Sequence, residues 1–140
     1  MRIGILGLSL VVLLCGCGSK PKTLEGLKPV KGKVTYKGQP LTKGTITFVT
    51  DDRKGVNAMG VLDEKGEFTL NSDVNSPGAR PGKYQVRVES WLTESSMGDG
   101  KFTPGKAAIP DKYMAAGTSG LDATVKDQSD VQMIDFDLKD

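Results

Sequence analysis

From Pro29 onward the chain alternates apolar and polar residues, and glycine or proline cuts the alternation at roughly ten-residue intervals. A period of two puts successive side chains on opposite faces of an extended strand. Such a chain buries its apolar residues by pairing short strands, and a helix-based core is excluded. Val30-Lys31-Gly32-Lys33-Val34-Thr35-Tyr36 places Val30, Val34 and Tyr36 on one face and both lysines on the other. Thr45 to Thr50 sends Ile46 and Phe48 inward, and Val56 to Leu62 passes through Ala58 and Gly60. After an Asp63-Glu64-Lys65-Gly66 reversal, Glu67 to Leu70 buries Phe68 and Leu70. Lys83 to Trp91 turns Tyr84, Val86 and Val88 inward. Leu121 to Val125 and Val131 to Leu138 are expected as a closing hairpin around Lys126 to Asp130, with Ile134, Phe136 and Leu138 on its inner face. The sum is an all-β, single, seven-stranded sandwich. One long irregular insertion, Thr93 to Gly120, holds at most a helical turn at Ile109 to Met114 that starts at Pro110 or Asp111.

Ahead of this domain stands MRIGILGLSLVVLLCGCG. Arg2 precedes an apolar run from Ile3 to Leu14, which matches the core of a secretory signal and is too short to span a bilayer. The tetrad Leu14-Cys15-Gly16-Cys17 resembles a bacterial lipobox, in which the last cysteine receives a diacylglyceryl thioether and the small residue before it admits the peptidase. The reading is therefore a leader over 1–16, an acylated Cys17 with a flexible tether over 17–28, and the sandwich over 29–140. More than one acyl chain makes such an anchor stable. The expected address is the cell envelope, at the periplasmic face or the outer membrane, with the membrane itself a partner through the lipid.

The chain contains no histidine. That removes the usual general base near neutral pH and the commonest metal ligand. Cleavage before Cys17 would also remove Cys15 and leave the other cysteine blocked by lipid, so Ser-His, Cys-His and zinc-hydrolase schemes are closed. Asp63, Glu64 and Glu67 sit in a loop too short for a ladder of calcium ligands. No cofactor, metal or catalytic residue is expected. The 19 basic and 17 acidic residues are interspersed, giving a formal charge of +2. Without a basic stripe to neutralise phosphates, nucleic acid is not an expected partner.

With catalysis set aside, the irregular segment is the natural recognition surface, because rigid scaffolds recognise through loops. Trp91, Phe102 and Tyr113 are the candidate contact residues, with the competing reading that all three plug the edge of the core. The expected partner is an envelope protein. The alternative is a carbohydrate- or small-ligand-binding domain, in which a cell-wall polymer or small ligand stacks on Trp91 and Tyr113.

The order of motifs carries a resemblance. V-K-G-K-V-T-Y-K-G-Q-P-L-T-K-G-T-I-T-F at 30–48, G-V-L-D-E-K-G-E-F-T-L at 60–70 and P-G-K-Y-Q-V-R-V at 81–88 resemble carboxypeptidase regulatory-like domains, of the immunoglobulin/transthyretin-like sandwich class. I-P-D-K-Y at 109–113, T-S-G-L at 118–121 and D-F-D-L at 135–138 are similar to small bacterial lipoproteins built on that domain. The resemblance implies a non-catalytic accessory or adhesion-like module. Some relatives use histidines for hydrolysis, which this chain lacks. Others form Lys–Asn or Lys–Asp isopeptide bonds, but alternation turns Lys31, Lys33 and Asp135 toward solvent.

Overall fold

The computed structural model describes residues 23–52 and 55–140. The leader, Cys17 and the first part of the expected tether lie outside the described residues. The strands are β1 (Val30–Tyr36), β2 (Gln39–Pro40), β3 (Gly44–Thr50), β4 (Ala58–Leu62), β5 (Glu67–Thr69), β6 (Asn71–Asp73), β7 (Ser76–Pro77) and β8 (Gly82–Glu89). They continue as β9 (Trp91–Thr93), β10 (Ser96–Gly98), β11 (Lys101–Thr103), β12 (Lys106–Ala107), β13 (Leu121–Val125), β14 (Gln132–Met133) and β15 (Phe136–Leu138). A 3-10 turn at Asp111–Met114 and one helical turn, α1 (Ala116–Ser119), separate β12 from β13.

Two sheets face each other. One runs in the order β13-β8-β3-β4-β6-β7, and the other is built on β1, flanked by β2 and β5 on one side and β14 and β15 on the other. The inward residues of the alternating pattern meet between them: Ile46, Phe48, Val86, Val88, Val30, Val34 and Leu138 are fully buried. Phe48 sits at the centre, its ring centroid 5.8 to 6.3 Å from those of Phe68, Tyr84 and Phe136, the separation at which tilted and edge-on aromatic pairs attract. The all-β sandwich read from periodicity is what the chain forms.

The closing hairpin is not. β13 pairs antiparallel with β8, whereas β14 and β15 cross to the other sheet and run parallel to β1. The crossover is held by Gln132, whose Oε1 accepts from Lys126 N and whose Nε2 donates to Lys126 O. Val30↔Gln132, Lys31↔Met133 and Val34↔Phe136 keep one register, yet the ladder is interrupted between them. There Ile134 N donates to Lys31 O, and Lys33 N turns to the Asp135 carboxylate at 2.8 Å. The Ile134 carbonyl presses against Gly32: a Cβ on that residue would lie 1.8 Å from the oxygen and 2.7 Å from Phe68 Cζ. Only glycine lets the C-terminal strand approach here.

The second half of the expected tether belongs to the domain. Leu24 N donates to Ser76 Oγ, Lys28 and Ala79 exchange two backbone hydrogen bonds, and Lys28 Nζ lies 2.7 Å from Asp127.

Gly32→Ala is expected to lower the unfolding free energy by about 3 kcal/mol or more, since backbone on one side and a buried ring on the other must move. Gly38→Ala, where a Cβ meets nothing within 4 Å, is the control; its left-handed φ of 78° costs about 1 kcal/mol. Urea unfolding of the two variants reads the difference, and equal midpoints would contradict the close approach.

Candidate functional site

The segment expected to be irregular is for the most part a β-ribbon. Ser90 ends β8 by donating its hydroxyl to Lys43 O, and the chain then leaves the sandwich. β9 pairs with β12, and β10 pairs with β11 around Asp99-Gly100. Both turn residues have left-handed φ, 49° and 73°, the geometry that two-residue hairpin turns require and Asp-Gly favours. At the root, Ala108 N donates to Ser90 O, Lys106 N donates to Thr93 Oγ1, and Lys43 lies 3.7 Å from Glu94.

Met97 and Phe102 are cross-strand partners near the tip, 76% and 62% exposed. Leu92 is 63% exposed and Trp91 38%. Two of the three aromatics nominated from sequence therefore sit on the ribbon. Tyr113 does not. Its ring is buried in the core, and its hydroxyl donates to Lys139 O at 2.9 Å and accepts from Lys139 N at 3.0 Å. It ties the 3-10 turn to the end of the C-terminal strand, so its expected place on an exposed surface is corrected, whereas Trp91 and Phe102 are exposed. Sequence reasoning missed Leu92 and Met97. The available signal was Asp99-Gly100 flanked by Met97 and Phe102, obscured by the nearby Gly98, Pro104 and Gly105.

An open groove of about 560 Å³ lies where β5 crosses from one sheet to the other. Gly32 and Phe68 lie at its base, the exposed Val61 and Met133 are among its walls, and Lys31, Lys33, Asp63, Glu67 and Asp135 supply its charges. Two of those carboxylates already serve the backbone. Asp63 Oδ1 accepts from Glu67 N and Lys65 N, and Asp135 accepts from Lys33 N. The Glu67 and Lys65 N–H groups hold the Asp63 carboxyl below its ordinary range, opposite to the elevation a general acid needs. Among the described residues no three His, Cys, Asp or Glu side chains converge as metal ligands.

No family model matches the chain, and no curated protein matches it. Among solved structures it is similar to a variant of BcpA, the major pilin subunit of Bacillus cereus, with 12% identity, a TM-score of 0.45, and coverage of 81% of this chain and 29% of that one. It is also similar to a DUF3823 family protein from Parabacteroides merdae, with 13% identity, TM-score 0.41, and coverage of 80% and 44%. A 9R-lipoxygenase from Cyanothece follows at 13% identity, TM-score 0.40, and coverage of 86% and 18%. The chain thus spans less than half the length of each, and at these scores the likenesses carry no functional weight.

Two outcomes follow. Trp91→Ala and Phe102→Ala are expected to change stability by no more than ~0.5 kcal/mol, whereas Tyr113→Ala costs about 3–5 kcal/mol and Tyr113→Phe about 1 kcal/mol; thermal and urea unfolding check the ranking. Asp63 has a folded-state pKa below its unfolded value, so its contribution is full above about pH 4 and lost as pH falls through the folded pKa. Asp63→Asn should therefore weaken the fold at pH 7, converge on the wild type as pH falls below the folded-state pKa, and flatten the acid limb of the urea midpoints.

Proposed function

We propose that this chain is a lipid-anchored module of the bacterial cell envelope that binds a protein partner and performs no catalysis. Cys17 is the acylated residue, and the lipid is the membrane contact. The observation that carries the binding role is the ribbon from Trp91 to Ala107, which extends Leu92, Met97 and Phe102 away from a closed core and roots them by hydrogen bonds to the sandwich. Apolar side chains on an exposed projection gain by being covered, and aromatics and methionine favour interface cores. The motif resemblance to carboxypeptidase regulatory-like domains supports the same reading, since it implies an accessory or adhesion-like role.

A polymer-binding role is favoured by one observation, the accessible face of Trp91. It loses its second stacking face, because Tyr113 is buried. A panel of cell-wall glycans is expected to give no thermal shift; a shift abolished by Trp91→Ala would restore that reading.

The anchor has its own test. Intact mass of the protein purified from membranes is expected to correspond to residues 17–140 plus acyl chains on Cys17. Cys17→Ser should move the protein out of the membrane fraction, and an unacylated wild-type mass would overturn the anchor.

A further inference from the structure

The two ends of the sandwich are not equivalent. β1 begins at the pole where Lys28 pairs with Ala79 and where Leu24 is held by Ser76. β8 starts at that same pole, since Gly82 pairs with Val125 and Asp127 follows in the loop that binds Lys28. β8 then runs its eight residues to the opposite pole, where Glu89 faces Thr45 and Gly44 faces Leu62. The ribbon is rooted there, on Ser90, Lys43 and Ala108. A strand of that length separates the two roots by about 26 Å.

We infer that the ribbon is a distal docking element: the anchored chain is clamped at one pole, and the ribbon is presented at the other to a protein with an apolar cleft that lies beyond the sandwich. This rests on the anchor at Cys17 proposed above. From Cys17 to Leu24 the chain reaches at most about 24 Å, and from Leu24 onward it is fastened to the near pole. The lipid therefore draws that pole toward the bilayer and leaves the ribbon facing away.

The ribbon's own charges argue against its anchoring bilayer as the occupant. Asp99 stands at the tip turn, so a ribbon entering hydrocarbon would lead with a carboxylate, at a cost of several kcal/mol. Glu94 and Asp99 balance Lys101 and Lys106, which leaves no basic excess to draw the ribbon to anionic lipid. A protein cleft has neither difficulty. It can cover the Met97–Phe102 pair while the tip carboxylate stays in water or meets a cation at the rim.

The chain's single tryptophan, Trp91, lies on the ribbon and reports on it directly. Native acylated protein in phosphatidylethanolamine–phosphatidylglycerol vesicles with brominated acyl chains is expected to keep its tryptophan emission. Quenching of half or more would place the ribbon in the bilayer and overturn the inference. In intact envelopes, a photo-crosslinking amino acid at Phe102 should give one discrete adduct with a protein other than this chain, and an adduct between two copies of the chain would overturn the inference. Its yield should fall at least fivefold when Met97→Asp is added. The same probe at Val74, exposed between β6 and β7 at the anchored pole, should not give that adduct. No adduct from Phe102, an adduct indifferent to Met97→Asp, or the same adduct from Val74 would each overturn it. Failure of the anchor is read separately, by the mass of Cys17 and by the membrane fraction of Cys17→Ser.

Discussion

The parallel pairing of the first strand with the last closes this molecule. β1 has partners on both sides, β5 and β2 on one and β14 and β15 on the other, so the second sheet is complete only when the C-terminus returns to the N-terminus. The contacts that β1 makes in that return join residues about a hundred positions apart in sequence. Ordering the intervening chain costs entropy that local contacts do not offset. The return is therefore tightly specified: Gly32 lets the Ile134 carbonyl in, Asp135 takes the amide that the interrupted ladder abandons, and Gln132 fastens the crossover. Tyr36, Lys37 and Asp140 seal the end, with Asp140 accepting from the Tyr36 hydroxyl at 2.6 Å and meeting Lys37 at 2.6 Å.

From that closure comes the division of the surface. The outer faces of the sheets expose polar residues together with Met59, Val61 and Met133, whereas the poles differ in kind. One pole is sealed by chain crossing beneath the core through Lys28, Ala79 and Arg80, whose carbonyl accepts from the Tyr84 hydroxyl. The other opens into the ribbon at Ser90. A short polar residue suits that exit, since Ser90 is buried and still satisfies Lys43 O with its hydroxyl. The ribbon gains support from the sandwich without lending it apolar area, so its exposed side chains are free to change with little effect on the fold.

How much of this was legible in the sequence depends on the range of the forces involved. Inward and outward faces were readable wherever the period of two held: Val30, Val34, Ile46, Phe48, Ala58, Leu62, Phe68, Val86 and Phe136 are all buried. Pairing was not. Leu121 to Val125 and Val131 to Leu138 look like a hairpin because they are neighbours in sequence, and nothing local reveals that a glycine a hundred residues earlier offers a better seat. Tyr113 misled for a related reason, since its burial depends on a backbone hydrogen-bond partner at Lys139 that only the parallel closure supplies. The exposure of Phe102 and Trp91 was legible, because a loop-like stretch bearing aromatics is a surface signal. The groove beside Lys31 and Lys33 was missed altogether. Its walls come from four separate strands and the C-terminal return, a juxtaposition to which no one segment points.

The clamp of Lys28 on Ala79 also fixes how the fold carries tension. A pull between the N-terminal chain and the ribbon would act from pole to pole, along the strands. Inter-strand hydrogen bonds lie across that direction, so β1 could slide past β5 and β15 only by breaking several of them together. Had the N-terminus entered beside the ribbon, the same pull would have peeled the pairs apart one at a time. The direction in which the first strand enters the sheet thus sets the sandwich to resist such a pull along the axis from the Lys28–Ala79 clamp to the root of the ribbon.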